Sequence, residues 1–210
     1  MDYEEWKRKN WDEAHKTSNV SALTGTGLGG HLATLQATDL FDKNSTVLCI
    51  GVGLGDWVRD FSEKVEQIWA LDVSEIAKVR MPLGAVFTTD PRDLPSDTFD
   101  LALSLWVAPH MSDHDLQVQL TEVIRALKPT GTFAIHYKEP LYPDNLLDNR
   151  EGADDEHLRA REAMMIRRRA HFFNMVTWAG GHVDKIAIEY PSNFYEIVEA
   201  SAHIHKGDGS

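Results

Sequence analysis

The chain has 210 residues, of which 42% are hydrophobic, and its 33 Asp and Glu outnumber its 21 Lys and Arg to give a formal net charge of -12. The length predicts one domain with a substantial core over residues 1–210, and the acidic balance argues against nucleic acid as a partner. Cys49 is the sole cysteine, which excludes an internal disulfide. The sequence has no apolar run of the ~20 residues that span a membrane and begins with an acidic segment, so we expect a cytoplasmic protein without a membrane partner.

Residues 1–43 predict a helical cap at the start of the chain. Trp6 and Trp11 lie among charges in a pattern consistent with a helix that lays its aromatic side chains over another part of the molecule. A glycine-rich stretch at residues 25–30 has no strand before it, which indicates a hinge rather than a nucleotide loop. A second helix is expected near residues 31–40.

The most informative stretch is VLCIGVGLGDW, at residues 47–57, where an apolar run ends in three alternating glycines, Gly51, Gly53 and Gly55. The apolar run suits a buried parallel strand, and the glycines allow a sharp turn that a ligand can approach closely. The dinucleotide fingerprint G-x-G-x-x-G would need a glycine at position 56, where Asp56 stands. An acid at a helix N-terminus also disfavours a pyrophosphate. The loop therefore predicts a ligand without phosphates.

Apolar segments alternate with helical patterns along the chain, which predicts an α/β fold with a parallel sheet. The first five strands are expected at residues 47–50, 67–71, 85–88, 100–105 and 132–137, and two more at residues 184–190 and 194–203. Ser112 is the expected N-cap of the helix between the fourth and fifth strands. The ligand should lie beyond the carboxyl ends of the strands, where the glycine loop, Asp72, Asp90 and His110 all fall.

Residues 138–157 interrupt this alternation. Residues 141–157 hold six acidic residues against one basic residue, Arg150. We interpret the segment as a mobile surface loop that is either a substrate lid or a solvated acidic loop. A C-terminal helix and strand hairpin are expected in residues 158–210.

Residues 44–136 resemble the class I S-adenosylmethionine-dependent methyltransferases, with several motifs in that family's order. The glycine loop is the first motif, and the segment IWALDVS supplies Asp72 where the family holds the cofactor ribose. The segment TDPRDLP supplies Asp90 where the family accepts the adenine amine. FDLALSL matches the fourth strand, and RALKPTG the turn before the fifth. Cys49 stands where the family usually has an acid that positions the methionine end.

The resemblance implies S-adenosylmethionine as the cofactor, S-adenosylhomocysteine as its product and a cofactor-binding core at residues 44–137. It also implies a doubly wound, mostly parallel seven-stranded sheet, with helices on both faces and an antiparallel last strand. The implied cofactor contacts come from Gly51, Gly53, Gly55, Asp72, Val73, Asp90, Pro91 and Leu105.

The expected acceptor of the methyl group is an oxygen or nitrogen of a small molecule, which attacks the methyl carbon in line with the leaving sulfur. His110, after the fourth strand, is the candidate general base, and His136, at the end of the fifth strand, is the second candidate. Candidate walls of the acceptor pocket, for which core packing is the alternative, are Trp6, Trp11, Trp106, Met111 and Tyr137.

Arg169 is a further candidate for contact with the acceptor. If residues 158–178 form one helix, Arg169 falls within its apolar stripe and Glu162 lies close beside it. Arg167 and Arg168 would then face solvent. An arginine in an apolar stripe must extend to solvent, pair with an acid such as Glu162, or reach an anionic ligand.

Other functions of the same fold are less well supported by the sequence. Metal-assisted members of the family carry an acid just after the fourth strand, and residues 105–111 contain none, so no metal site is expected. The same loop lacks the motifs of DNA-methylating members. The remaining alternatives are a transferase of another group, such as an aminopropyl transferase, and a methyltransferase-like cofactor-binding or regulatory protein without turnover, which Cys49 would favour. The sequence sets no oligomeric state.

Overall fold

A computed structural model describes residues 3–17, 27–140, 165–189 and 197–207. The strands are β1 Thr46–Ile50, β2 Gln67–Leu71, β3 Val86–Thr88, β4 Phe99–Ser104, β5 Leu127–Pro140, β6 Gly181–Glu189 and β7 Ile197–Lys206. The helices are α1 Tyr3–Thr17, α2 Gly27–Thr34, α3 Asp56–Ser62, α4 Glu75–Lys78, α5 Asp113–Ala126 and α6 Arg169–Trp178. Single 3-10 turns at Pro91–Asp93 and Ala108–His110 follow β3 and β4.

The seven strands form one sheet in the order β3-β2-β1-β4-β5-β7-β6. Strands β1 to β5 run parallel to one another, and β7 is antiparallel to both β5 and β6. The strand order reverses between β1 and β4, and at such a switch point the carboxyl ends of the strands leave a crevice for a ligand. The predicted mostly parallel sheet with an antiparallel last strand is confirmed.

Alternation of side chains along β1 divides the core into two layers. Leu48 and Ile50 belong to the layer that contains α5 and α6, whereas Val47 and Cys49 belong to the layer that contains α2 and α3. All four side chains are buried, as expected for a strand with helices on both faces. Cys49 is therefore a core residue, and burial raises the pKa of its thiol well above the ordinary value.

The helix that the sequence predicts from residue 158 begins instead at Arg169. Residues 165–168 are extended, and Arg168 has φ −60° and ψ 141°. The prediction was wrong here because N–H groups of this segment bond to the loop after β4 and to β5, which an early helical turn would prevent. Residues 158–164 lie outside the described residues, as does the predicted acidic loop at residues 141–157.

The glycine-rich stretch is also different from the prediction. Residues 27–30 form the first turn of α2 and not a hinge, and residues 25–26 lie outside the described residues. Leu28 and Leu32 lie one helical turn apart, and both are buried against the sheet. Their burial stabilises the helix in spite of the poor helix propensity of glycine. The helix ends at Thr34, earlier than expected.

Strand β5 is longer than predicted, because β7 pairs with it from Phe133 to Pro140. Across the described ranges, the search for a helix long and apolar enough to cross a membrane finds none. The division of the chain into a cap, a core, an acidic loop and a C-terminal part stays a prediction.

Candidate functional site

The glycine loop joins β1 to α3 in a left-handed backbone conformation. Gly51, Gly53 and Gly55 have φ values of 67°, 55° and 75°, which residues with a Cβ rarely adopt. A Cβ on Gly51 would lie 2.1 Å from Val107 Cγ2, so the loop after β4 requires glycine there. A Cβ on Gly53 would meet no described atom within 4 Å. The backbone at Gly53 is therefore open to a ligand, as the sequence pattern suggested.

Asp72 follows β2 and lies beside the glycine loop. Its Oδ2 accepts the N–H of Gly53 at 3.0 Å, and its Oδ1 accepts the N–H of Ser74 at 2.9 Å. Burial raises the pKa of Asp72, and these two N–H bonds partly offset the shift. Each oxygen keeps acceptor capacity for a further donor. The structure thus brings together the glycine loop and Asp72, which the sequence singled out separately. Val73, between Asp72 and Ser74, is half-buried.

Asp90 follows β3 and caps the turn Pro91–Asp93. Its Oδ1 accepts the backbone N–H of Arg92 at 3.0 Å, and its Oδ2 accepts Arg92 Nη2 at 2.7 Å. The side-chain bond from Arg92 is the main reason that the pKa of Asp90 is lowered. Both carboxylate oxygens already have a partner, so an adenine amine would share the carboxylate with an exposed arginine. Sequence reasoning had given Arg92 no role.

The loop after β4 starts with a strained residue. Trp106 adopts φ 61°, which is unfavourable for a bulky side chain and recurs at functional sites. Its ring lies against the His136 ring with centroids 4.3 Å apart, and Lys138 Nζ lies 5.2 Å from the indole centroid. Because His136 ends up beneath Trp106, these two predicted site residues form one surface. Leu105, before them, is buried in the core.

His110 ends the 3-10 turn of the same loop. Its ring meets the Trp11 ring edge to face, with centroids 5.4 Å apart. Burial lowers the pKa of His110, and the charges of Lys138 and His136 lower it further. The imidazole is therefore neutral at neutral pH, which is the state that a general base needs. Met111, the next residue, packs in part against the core.

Helix α1 lies across the carboxyl ends of the strands. Ser74 Oγ donates to Asp12 Oδ1 at 2.6 Å after β2, and Lys7 Nζ donates to Asp115 Oδ1 at 3.2 Å at the start of α5. With the contact between Trp11 and His110, these bonds fix α1 over the region that holds Asp72 and the loop after β4. Trp6 is half-buried on the same helix.

Tyr137 and Arg169 have structural partners. Tyr137 is fully buried and stacks on Phe172 with centroids 4.1 Å apart. Burial, and then the charge of Glu139, raise its pKa well above the ordinary value. Arg169 donates through Nε and Nη2 to the buried carboxylate of Glu139, at 3.1 and 2.7 Å. Of the three alternatives for Arg169, the structure shows pairing with an acid, but the partner is Glu139, and Glu162 lies outside the described residues.

Arg167 is the residue that sequence reasoning placed wrongly. It was expected to face solvent, yet only 1% of it is exposed, and its guanidinium bonds to the loop that carries His110. The prediction failed because it assumed a continuous helix, whereas the helix begins at Arg169 and the segment before it bonds to β5 and to the loop after β4. The described residues contain no group of three His, Cys, Asp or Glu that could hold a metal ion.

Comparisons with known proteins were made against families, curated proteins and solved structures. Residues 47–131 match the model of a family described as a methyltransferase domain. The search of curated proteins gave no match. The 1,6-didemethyltoxoflavin-N1-methyltransferase of Burkholderia thailandensis, solved with 1,6-didemethyltoxoflavin and S-adenosylhomocysteine, has a TM-score of 0.71 at 18% identity, covering 98% of this chain and 89% of that chain.

Two further structures share the fold. The DhpI complex with SAH has a TM-score of 0.62 at 16% identity and covers 99% of this chain and 98% of that chain. The [4+2]-cyclase SpnF has a TM-score of 0.65 at 14% identity and covers 86% of this chain and 82% of that chain. At these identities the likeness to solved structures shows the fold, and the same fold hosts more than one reaction.

Proposed function

We propose that the chain is a class I S-adenosylmethionine-dependent methyltransferase that moves a methyl group to an oxygen or nitrogen of a small-molecule acceptor. The proposal is supported by the match of residues 47–131 to a methyltransferase domain and by the shared fold. The observation that carries this proposal is the pairing of Asp72 with the N–H of Gly53 at the switch point of the sheet. It combines a charged acceptor with a backbone open to a ligand, and both lie under the helix α1.

The residues of this crevice fit the cofactor. Asp72 would accept the ribose hydroxyls through its remaining lone pairs, and Asp90 would accept the adenine amine. The open backbone at Gly53 would allow the amino acid portion to approach. The remaining cofactor contacts are assigned to Gly51, Gly55, Val73, Pro91 and Leu105. When bound, S-adenosylmethionine supplies a methyl group on a positively charged sulfur, and the protein has to align the acceptor with it.

His110 is the proposed general base. Its neutral imidazole would remove the proton from an acceptor hydroxyl or amine as the new bond to the methyl carbon forms. His136 is the second candidate, although its ring lies against Trp106. His110 follows β4, whereas His136 lies within β5 and not at its predicted end, one residue beyond the last pair with β4. Both rings therefore lie near the carboxyl end of β4, at the same edge of the sheet as Asp72.

The acceptor pocket is proposed to use the aromatic residues of α1 and of the loop after β4. The Trp11 ring contacts His110 and the Trp106 ring contacts His136. Trp6, on the same helix as Trp11, and Met111, next to His110, are assigned to the same pocket. A small molecule fits this surface and the charge of -12 better than nucleic acid does. The similar methyltransferase named for 1,6-didemethyltoxoflavin also acts on a small molecule. A cytoplasmic location without a membrane partner stays a prediction from composition.

One alternative is a cofactor-binding or regulatory protein without turnover. It is favoured by Cys49, whose complete burial leaves the position without the acid of the family. The test is a calorimetric titration with S-adenosylhomocysteine, followed by a metabolite screen for methyl transfer from labelled S-adenosylmethionine. Binding with transfer to a metabolite supports the proposal. Binding without transfer to any metabolite supports the alternative, and absence of binding contradicts both.

A further inference from the structure

The guanidinium of Arg167 binds two backbone carbonyls of the loop that carries His110. Its Nη1 donates to the carbonyl of Ala108 at 2.8 Å, and its Nη2 donates to the carbonyl of Met111 at 2.6 Å. These two carbonyls flank Pro109 and His110, so one planar guanidinium spans the whole 3-10 turn. A planar fork of this kind fixes the distance and direction between its two acceptors.

The backbone on either side of Arg167 is bonded as well. Met165 N donates to the carbonyl of Pro109 at 2.6 Å, and Arg167 N donates to the carbonyl of Lys138 at 2.8 Å. The pairing of β4 with β5 ends at Ser104 and Ile135. The extended segment therefore lies beside β5 beyond the end of β4 and connects β5 to the loop after β4.

The charge of Arg167 is balanced by one carboxylate. Asp113 Oδ1 accepts Arg167 Nε at 2.8 Å, and Asp113 Oδ2 lies 2.9 Å from His171 Nε2. Desolvation raises the pKa of Asp113, but the Arg167 charge and the bonds from His171 and Arg167 outweigh it, and the pKa is lowered. A buried charge is a costly way to close a turn, since apolar side chains of similar volume often stabilise a protein as well or better. The bonds of Arg167 fix the directions of the Ala108 and Met111 carbonyls, which apolar packing would not do.

The strain at Trp106 is a second, independent sign that this loop is held in place. A bulky residue with φ 61° persists only where the surrounding structure determines its conformation. The Arg167 bonds begin two residues later, at Ala108. Val107, between them, packs so close to Gly51 that a Cβ at that position would overlap it. The loop is thus fixed at both ends, with His110 between the fixed points.

We propose that Arg167 is a positioning residue, which holds the turn Ala108–His110 so that the His110 ring stays buried against Trp11 at the acceptor site. The inference deepens the proposed function, because it rests on the role given to His110. Arg167 touches neither the acceptor nor the cofactor in this account. It acts through the two carbonyls that flank His110.

Arg125 is a matched control at the other end of α5. Its Nε donates to Glu122 at 2.7 Å, its Nη1 to Ser96 Oγ at 2.7 Å and its Nη2 to the Leu94 carbonyl at 2.6 Å. Like Arg167 it bridges an acid and a loop through three donors. It lies at the amino end of β4, however, and has no contact with the loop of His110.

The experiment compares the His110 ring in wild type, Arg167→Lys and Arg125→Lys. Imidazole titrations are followed by NMR on the full chain, with the His110 signal identified from its loss in His110→Ala. We expect the His110 midpoint to rise toward its ordinary value in Arg167→Lys, because a relaxed loop lets water reach the ring. It should not move in Arg125→Lys, even if the melting temperature falls. An unmoved His110 midpoint in folded Arg167→Lys would overturn the proposal.

A second variant and a wild-type measurement cover the case in which Arg167→Lys does not fold. Arg167→Gln removes the buried charge and retains an amide donor, and it should move the midpoint in the same direction. In wild type, hydrogen exchange at the amides of His110 and Met111 should be as slow as at Arg167. Fast exchange at these two amides beside a protected Arg167 amide would overturn the proposal.

The outcomes also separate this inference from the proposed function. S-adenosylhomocysteine should bind Arg167→Lys with an affinity within about threefold of wild type, since its contacts with Asp72 are unchanged. If it binds neither protein while the His110 midpoint moves, the proposed function fails and the positioning role stands. If it binds both proteins and the midpoint does not move, the positioning role fails alone.

Discussion

The two ends of the sheet are held by similar sets of side chains in different surroundings. At the carboxyl ends, Asp72 accepts two backbone N–H groups and Arg167 binds the loop after β4. At the amino ends, Asp100 accepts the N–H of Thr46 at 2.8 Å, and Arg125 binds the segment before β4. The exposed fraction of the arginine side chain is 1% at the carboxyl end and 37% at the amino end.

This difference in exposure indicates that the arginine at the amino end stabilises the fold, whereas the arginine at the carboxyl end positions a loop. Solvent-exposed ion pairs contribute little free energy and allow some movement, which suffices to hold a loop away from the site. At the carboxyl ends the same chemistry is desolvated, so each bond has a strict geometry and each lost partner costs more. His110 lies at this end of the sheet, where its burial and then the charges of Lys138 and His136 lower its pKa.

Removal of His110 should have the largest effect on activity. We expect His110→Ala to lower turnover by about 10²–10⁴-fold, because the acceptor loses its base, with little change in cofactor affinity. The control is His205→Ala. His205 belongs to β7 and lies beside the amino end of β5, where its Nδ1 is 3.1 Å from the Gly131 carbonyl. Turnover in His205→Ala should match wild type. An active His110→Ala enzyme with an unaltered pH profile would reject the base role.

Removal of Asp72 should weaken cofactor binding. We expect the Kd for S-adenosylmethionine to rise about ten- to hundredfold in Asp72→Ala, because the ribose loses a charged acceptor. Calorimetry measures the affinity, and Asp100→Ala is the control from the amino end. The control should lower the melting temperature and leave Kd unchanged. Equal affinities in wild type and a folded Asp72→Ala would show that the site assignment is wrong.

The pH dependence should reveal the lowered pKa of His110. Its ordinary value is 6.5, and burial and then the charges of Lys138 and His136 lower it, so the ring is neutral above pH 6.5 and kcat should decline only below that pH. The folded state binds this proton more weakly than the unfolded chain. The free energy of unfolding should therefore decrease as the pH falls from 6.5 through the folded pKa. A rate profile with its acid limb above pH 6.5 would contradict this account.

Arg169 should show the smallest effect. Its side chain is 47% exposed and donates two hydrogen bonds to the buried Glu139 carboxylate. Arg169→Lys should therefore lower the free energy of unfolding by about 0.5–1 kcal/mol and leave KM unchanged. Thermal melting and steady-state kinetics with the identified acceptor measure the two quantities. A raised KM with an unchanged melting temperature would instead place Arg169 in the acceptor pocket.

The sheet and its ligand crevice could be predicted because their signals are local. Three signals can each be recognised within a few residues: the apolar run at residues 47–50, the glycines that follow it, and Asp72 after β2. The strand order follows from the family resemblance once these segments are aligned.

The arginine cluster could not be predicted in the same way. Residues 167–169 are three consecutive arginines, and the choice of the buried one depends on where α6 begins. That start is set by bonds to Pro109 and Lys138, which are distant in sequence, so no periodicity encodes it. The φ of Trp106 has the same origin, because a tryptophan gives no local signal for a left-handed backbone.

The position of β7 has a consequence for how the protein is made. β7 follows the other six strands in sequence but lies between β5 and β6 in the sheet. During synthesis the outer edge of β5 has no strand partner from this sheet until Ile197–Lys206 has left the ribosome. An uncovered strand edge can pair with another chain. The synthesis of β7 therefore joins β6 to the sheet and covers the edge of β5.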